Sequence, residues 1–191
     1  MDIFSTSRDE KPDSRKKTNE RPGVRFLNIF VGMNTLLMPI IVAASLMVTS
    51  PSFRNGEYIP TRYTCKGENI QPAINIKDIP AGTVTVALII EDPDASKGTF
   101  DHWVAWNIPP TGSIEENSSA GTQGRNGGGQ NGYTGPCPPA GTGTHHYHFK
   151  LYALDKKLDL PAGSDKTQLQ QAMKGHVLAE GELIGLVKAD K

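Results

Sequence analysis

The chain has 191 residues and a formal net charge of zero, with 20 Lys and Arg balanced by 20 Asp and Glu. Residues 1–25 hold seven of the basic and five of the acidic side chains, which leaves 13 basic and 15 acidic residues in the remainder. This nearly neutral remainder excludes a nucleic-acid-binding surface, which would show a clustered basic excess, and it has room for one medium-sized domain.

The N-terminal fifty residues are predicted to be a targeting or anchoring segment. An apolar run at 26–48 follows the basic N-terminus and ends among small residues, as in a signal peptide, and it is also long enough for a membrane-spanning helix. A buried core helix is the third interpretation, and no cysteine follows to support a lipoprotein anchor. We divide the chain into the segment 1–50 and a domain 51–191. We expect the domain to be periplasmic or otherwise extracytoplasmic, either secreted or anchored by 26–48.

Two cysteines, Cys65 and Cys137, lie in the part predicted to be exported. In an oxidising compartment an even pair favours one disulfide bond, and two free buried thiols are the alternative. The four-ligand cysteine and histidine set of a structural zinc site is absent from the sequence.

The body is predicted to be mainly β, as an antiparallel β-sandwich with one helix in its C-terminal region. Strands rich in β-branched residues and bounded by turn residues are predicted at 83–90, 103–108, 145–154 and 182–188, with shorter extended pieces at 53–58 and 73–76. The helix is predicted from a capping box at Thr167 and Gln170 and an apolar stripe that continues to Val177 and closes at Gly181. Many strands and one late helix favour a sandwich.

A glycine-rich segment at 112–135 separates the second and third predicted strands. We expect a long, mobile surface loop or lid, because the segment has few apolar side chains. It has no GK[ST] sequence and no strand–loop–helix context, so a phosphate-binding P-loop is disfavoured.

Polar side chains cluster where three of the predicted strands begin or end. Asp92 and Asp94 follow the strand at 83–90, His102 opens the next, and His145 and Tyr147 open the third. A solvated turn explains the aspartates taken alone. If the three strand ends meet, imidazole and phenol groups would donate to an anionic oxygen, and the aspartates would fix the imidazole tautomers.

Three motifs occur in order: Asp92-Pro93-Asp94-Ala95, His102-Trp-Val-Ala-Trp-Asn107-Ile-Pro, and Tyr133-x-Gly-Pro-Cys-Pro-Pro-x-Gly-x-Gly-x-His145-x-Tyr147. Together they resemble the phosphatidylethanolamine-binding protein family, in its bacterial Raf-kinase-inhibitor-like branch. The likeness spans nearly all of residues 53–188. It departs from the family pattern at Ser96, where a proline is expected, and in ending without the C-terminal helix of eukaryotic members.

The resemblance implies two antiparallel sheets with a small anion pocket at one end. It implies a ligand-binding set lined by Asp92, Asp94, His102, His145 and Tyr147, with a rim of Tyr133, Gly135, Pro138 and Pro139. In that family the pocket accepts phosphate-type groups, including phospholipid headgroups and phosphorylated residues. We therefore expect a non-enzymatic, inhibitor-like binding protein with a small anionic or phosphorylated ligand, no cofactor and no catalytic residue.

Three alternatives stay open at this point. The aspartate, histidine and tyrosine side chains are also typical of hydrolase acid–base chemistry, although no G-x-S-x-G elbow is present. His146 and His148 share one strand face, as in some metal sites, but a solvated face is the simpler interpretation. The third is a protein-interaction module with a vestigial pocket. The sequence leaves the oligomeric state open, a homodimer included.

Overall fold

A computed structural model of the chain describes residues 44–191, and these contain ten strands, one 3-10 helix and one α-helix. The strands in chain order are β1 (Ala44–Ser45), β2 (Met47–Thr49), β3 (Glu57–Tyr58), β4 (Ile74–Lys77), β5 (Thr85–Asp92), β6 (Phe100–Ile108), β7 (Ser113–Ile114), β8 (Thr122–Gln123), β9 (Thr144–Leu154) and β10 (Val177–Lys188). The 3-10 helix spans Thr61–Tyr63, and the α-helix, α1, spans Lys166–Met173.

The strands form two sheets. The larger has the order β1-β10-β9-β5-β6-β8, with β3 also beside β10, and the smaller has the order β2-β4-β7. The long strands β5, β6, β9 and β10 pair antiparallel, whereas the two-residue strands β1 and β3 pair parallel to β10. The mainly β fold with one helix is therefore confirmed, and the two short parallel pairs are its exceptions.

The central strand β5 is buried on both faces. Val86, Leu88 and Ile90 belong to the cluster between the two sheets, which also includes Ile74 and Ile114 of the small sheet. The alternate side chains of β5 pack on the other face, where α1 and the segment after β9 form a second apolar cluster. This two-sided burial explains why the sequence of β5 is an unbroken apolar run instead of an alternating one.

The helix begins two residues earlier than predicted. Asp165, not Thr167, is the N-cap: its carboxylate accepts from the backbone N–H of Gln168, and the Gln168 side chain accepts from the Asp165 N–H. The helix ends at Met173, before the apolar stripe predicted to continue to Val177. A turn through Gly175, at φ 78°, then leads into β10. Val177 pairs with Leu154 of β9 and so belongs to the sheet. This tertiary pairing outweighs the helical spacing of apolar residues that predicted a longer helix.

The glycine-rich segment lies along the free edge of β6. The backbone N–H groups of Gly124, Gly127 and Thr134 donate to carbonyls of Val104, Asp101 and His102. The segment therefore covers an edge that would otherwise expose unpaired backbone groups, a role that the lid interpretation did not anticipate.

The folded domain begins earlier than residue 51. Leu46 and Val48 are buried in the core between the sheets, and Ser45 pairs with Glu180 of β10. The predicted apolar segment 26–48 thus overlaps the domain at residues 44–48, and its earlier part lies outside the described residues. Residues 44–48 therefore lie on the domain side of the boundary drawn at residue 50, which the sequence did not reveal because strand residues and anchor residues are both apolar. Within residues 44–191, no helix has the length and apolarity needed to cross a membrane.

Candidate functional site: a polar cavity at one end of the large sheet

A cavity of about 270 Å³ lies at the end of the large sheet where β5 ends and β6 and β9 begin. The strand register brings these termini together, since Asp92 pairs with Phe100 and Glu91 with His148. The cavity is lined by Asp92, Ala95, Ser96, Lys97, Gly98, Phe100, His102, Thr134, Gly135, Cys137, Pro138, Pro139, His145 and Tyr147. Its floor is polar and its walls are largely apolar, an arrangement typical of small-ligand sites.

A β-bulge turns His102 toward the cavity. Asp101 pairs with Glu91 and Trp103 pairs with Ile90, so His102 is the extra residue in β6. In a regular strand His102 and Trp103 would face opposite sides. Here Trp103 packs in the core between the sheets while His102 lines the cavity beside that core. The bulge thus re-aims one side chain, as bulges beside binding sites commonly do.

His145 is held at both ring nitrogens. Its Nδ1 lies 2.8 Å from Oδ2 of Asp92, and its Nε2 lies 2.8 Å from Oγ1 of Thr142. The Asp92 carboxylate also accepts from the backbone N–H of Asp94, at 2.9 Å. Because both Asp92 and His145 are buried, this hydrogen-bonded chain fixes the orientation of the imidazole at the cavity.

Tyr147 places an unpartnered phenol at the same site. Its side chain is fully buried, and its hydroxyl has no hydrogen-bond partner among the residues that the structure describes. Burial, followed by the charge of Asp92 and a weak hydrogen-bonding interaction with its carboxylate, raises the pKa of Tyr147 well above its usual value. The hydroxyl therefore stays protonated, and it can donate to a ligand that reaches the buried floor of the cavity.

His102 is anchored by one nitrogen only. Its Nδ1 donates to the backbone carbonyl of Thr134 at 2.7 Å, and its ring packs between Phe100 and Tyr147 at centroid distances of 4.8 and 5.1 Å. The carbonyl fixes the tautomer, so the neutral ring has a lone pair on Nε2. Burial lowers the pKa of His102 below 6.5, against the opposing effect of the Thr134 carbonyl.

The Gly-Pro-Cys-Pro-Pro segment forms one wall of the cavity and is fixed from behind. Cys137 forms a disulfide bond with Cys65, which confirms the pairing favoured by the sequence. The Gly135 N–H donates to Oδ1 of Asn69 at 2.7 Å. A Cβ on Gly135 would lie 2.7 Å from both that oxygen and the carbonyl oxygen of Tyr63, so this close approach requires glycine.

A family model described as phosphatidylethanolamine-binding protein matches residues 49–188, which include every residue that lines the cavity. The chain belongs to the phosphatidylethanolamine-binding protein family. This membership confirms the resemblance drawn from the three motifs.

Relatives and a solved structure support the same assignment. A UPF0098 protein of Pyrococcus horikoshii is 48% identical over an alignment of 151 residues, and the match covers 74% of this chain and 76% of the relative. The candidate lipoprotein LppC of Mycobacterium tuberculosis is 41% identical over 150 residues, 77% and 74% of the two chains. A crystal structure of a candidate phosphatidylethanolamine-binding protein homolog of Chlamydia trachomatis aligns with a TM-score of 0.73 at 36% identity, covering 77% of this chain and 99% of that one.

The structure separates two of the nine predicted ligand-binding residues from the cavity. The residues Asp92, His102, Gly135, Pro138, Pro139, His145 and Tyr147 line it. Asp94 instead accepts from the backbone N–H and Nδ1 of His146, each at 2.8 Å, and the hydrogen bond from the imidazole, ahead of that from the N–H, lowers the Asp94 pKa. Tyr133 donates to the carbonyl of Tyr63 at 2.7 Å and packs against Trp103, so it supports the wall from behind.

The motifs did not identify three residues that lie at or beside the cavity. Lys97 and Phe100 line the cavity from the turn after Asp94 and from the start of β6, and Thr142 bonds His145. Thr142 precedes His145 by three residues, a spacing that sequence could have offered as a local contact. Lys97 and Phe100 reach the cavity only because the chain reverses between β5 and β6.

His146 and His148 do not converge on a common point with an acidic third ligand. His146 pairs with Asp94, and His148 pairs with Glu182 at 2.8 Å. Across residues 44–191, no group of three histidine, cysteine or acidic side chains has the proximity needed to hold a metal ion.

Proposed function

We propose that this member of the phosphatidylethanolamine-binding protein family is a non-enzymatic binding protein whose cavity takes a small anionic group of the phosphate type. The group is the phosphate of a phospholipid headgroup or of another phosphorylated ligand. The observation that carries the proposal is the Tyr147 hydroxyl, a buried donor at the cavity for which the described residues supply no well-formed hydrogen bond. An anionic oxygen in the cavity would supply the acceptor that a buried hydroxyl requires.

The other groups at the cavity fit the same ligand. Protonation of His102 converts its Nε2 from an acceptor to a donor while Nδ1 stays on Thr134. Lys97 adds a permanent positive charge to the lining. The carboxylate of Asp92 already bonds His145 and the N–H of Asp94, which reduces its repulsion of an incoming anion.

An NMR titration of the histidine side chains with inorganic phosphate tests this function. We expect saturable shifts of the His102 and His145 signals. The His176 signal should change little, because His176 pairs with Asp155 at the opposite end of the large sheet, where β9 ends and β10 begins. The shifts should disappear in His102→Ala, a variant that leaves the Asp92–His145 pair intact. Uniform shifts of every histidine, or none at millimolar phosphate, would rule out the anion site and favour a protein-interaction module.

We also propose an extracytoplasmic location. The disulfide between Cys65 and Cys137 is typical of oxidising compartments, and the sequence before Ala44 contains a basic stretch followed by an apolar one. The lipoprotein name of the Mycobacterium tuberculosis relative agrees with this location. Fractionation of expressing cells, with alkaline phosphatase fused after residue 191 as a reporter, tests it: alkaline phosphatase activity is expected only if the domain is exported.

A hydrolase is the second candidate, because Thr142, His145 and Asp92 form a hydroxyl–imidazole–carboxylate chain. Such a chain activates the nucleophile in many hydrolases. Two features oppose this role here: the Thr142 hydroxyl donates to the Pro139 carbonyl at 2.7 Å, and Thr142 does not line the cavity. Ester and phosphoester turnover by the wild type that disappears in both Thr142→Ala and His145→Ala would establish the hydrolase; no turnover would favour binding.

A further inference from the structure

We infer that the cavity selects phosphate monoesters without a neighbouring ammonium group, and that Lys97 is the residue that determines this selectivity. The inference rests on the anion-binding function proposed above and adds the substrate class. An ethanolamine headgroup has an ammonium two carbons from the phosphate oxygen. The cavity therefore needs a free carboxylate to favour such a headgroup, or a free cation to disfavour it.

Each carboxylate near the cavity forms a hydrogen bond or an ion pair with another of the described residues. Asp92 bonds His145, and Asp94 bonds His146. On the other face of the sheet, Glu91 lies 2.5 Å from Nζ of Lys150. Lys166 contacts both Glu91 and Asp101, with Nζ–oxygen distances of 2.9 and 2.5 Å.

Among residues 44–191, Asp92 is the only acidic residue that lines the cavity. Its oxygens accept from Nδ1 of His145 and from the backbone N–H of Asp94. An ammonium group entering the cavity would therefore compete with His145 and the Asp94 N–H for this carboxylate, and it would have to give up hydration to do so. A neutral hydroxyl at the same position loses less hydration.

Lys97 is the one lysine or arginine in the lining, and no acidic side chain within the described residues pairs with it. It is exposed at the tip of a tight turn in which the Gly98 N–H donates to the Ala95 carbonyl at 3.1 Å. An uncompensated cation at this position attracts the phosphate and repels an ammonium on the same ligand. Because it is exposed, its effect should weaken as salt is added.

The shape of the cavity limits how far a ligand's ammonium group can lie from Lys97. Phe100, Pro138 and Pro139 supply apolar walls that offer no hydrogen bond to a charged group. A volume of about 270 Å³ admits a phosphate with a short substituent, so the substituent stays within a few ångströms of the lining. The ligand class that fits is a phosphate monoester with a neutral or acidic substituent.

A matched pair of ligands tests the inference on the full chain. Phosphoethanolamine and 2-hydroxyethyl phosphate differ only by an ammonium or a hydroxyl at the same position, and inorganic phosphate reports the anion site alone. Dissociation constants would be measured at pH 7.5 and low salt for the wild type, Lys97→Gln and Lys97→Glu. Lys157→Gln is the control, since Lys157 is exposed after β9, at the opposite end of the sheet.

We expect 2-hydroxyethyl phosphate to bind about three- to tenfold more tightly than phosphoethanolamine, the effect of one charge pair at roughly 7 Å in a largely aqueous surrounding. The ratio should approach one in Lys97→Gln, fall below one in Lys97→Glu and stay unchanged in Lys157→Gln. Equal affinities of the wild type for the two esters, with phosphate binding intact, would overturn the selectivity and leave the anion site standing. Failure of all three ligands to bind would overturn the proposed function as well.

Discussion

Asp92 and His145 form a buried pair that joins the end of β5 to the start of β9, with 2.8 Å between Oδ2 and Nδ1 and side-chain exposures of 5% and 2%. Asp94, two residues along the same turn, forms an equally short contact with His146, but these side chains are 41% and 51% exposed. The two pairs have the same chemistry and differ in burial, so they provide an internal comparison.

Asp92→Ala should lower the free energy of unfolding by about 3 kcal/mol or more, because it leaves His145 buried without its partner. Asp94→Ala should cost less than about 1 kcal/mol, since water replaces the lost contact. Chemical denaturation of both variants measures the difference. Similar losses in the two variants would show that burial does not govern the strength of the Asp92–His145 pair.

Tyr147→Phe and Tyr133→Phe should differ in their effect on stability. The first removes a buried hydroxyl without a partner, so we expect unchanged or slightly increased stability. The second removes the hydrogen bond to the Tyr63 carbonyl, so we expect a loss of about 1 kcal/mol. Phosphate affinity should fall only in Tyr147→Phe. A phosphate dissociation constant that Tyr147→Phe leaves unchanged would remove the phenol from the proposed site.

The ligand-free protein should lose stability as the pH falls below 6.5. Burial lowers the pKa of His102 in the folded state, so the unfolded chain binds a proton at a higher pH. The stabilising contribution of neutral His102 is therefore present above pH 6.5 and is lost as the pH falls toward the folded-state pKa. Denaturation midpoints between pH 7.5 and 5 measure this loss, and the slope should be smaller in His102→Gln.

Phosphate should oppose that loss, because an anion favours the protonated His102. We expect the stabilisation by a fixed phosphate concentration to be larger at pH 5.5 than at pH 7.5 in the wild type. His102→Gln should show no such increase. A pH-independent phosphate effect in the wild type would exclude His102 as a protonation-linked ligand.

Loss of the disulfide should destabilise the domain by about 4 kcal/mol, the loop-closure value for two cysteines 72 residues apart. Cys65→Ser combined with Cys137→Ser should also weaken phosphate binding, since the bond fixes the cavity wall at Cys137. Reduction of the wild type with a thiol should reproduce both changes. An unfolding midpoint insensitive to reductant would contradict the structural role of the bond.

The sequence by itself determined the mainly β fold and much of the lining of the cavity. A long apolar run identifies β5, because both faces of this central strand are buried. Alternating polar and apolar residues identify β9, because only one of its faces is fully buried. Asp92, His145 and Tyr147 were found because charged or aromatic polar groups at the ends of buried strands need partners. The family resemblance assigned the proline-rich segment to the same end of the domain.

Other features depended on contacts between distant segments. The bulge that turns His102 inward exists because Asp101 and Trp103 pair with adjacent residues of β5, a register invisible in β6 alone. The pairing of Val177 with Leu154 decides that β10 begins there. Residues 44–49 join the sheets because their neighbours β4 and β10 offer open edges.

The exclusion of Asp94 and Tyr133 from the cavity has the same origin. Asp94 is hydrogen-bonded to His146, and the Tyr133 hydroxyl donates to the carbonyl of Tyr63, 70 residues away in the chain. Which partner a polar side chain finds depends on distances set by the whole fold. Sequence therefore determined which groups needed partners, and tertiary structure decided which of them remain free for a ligand.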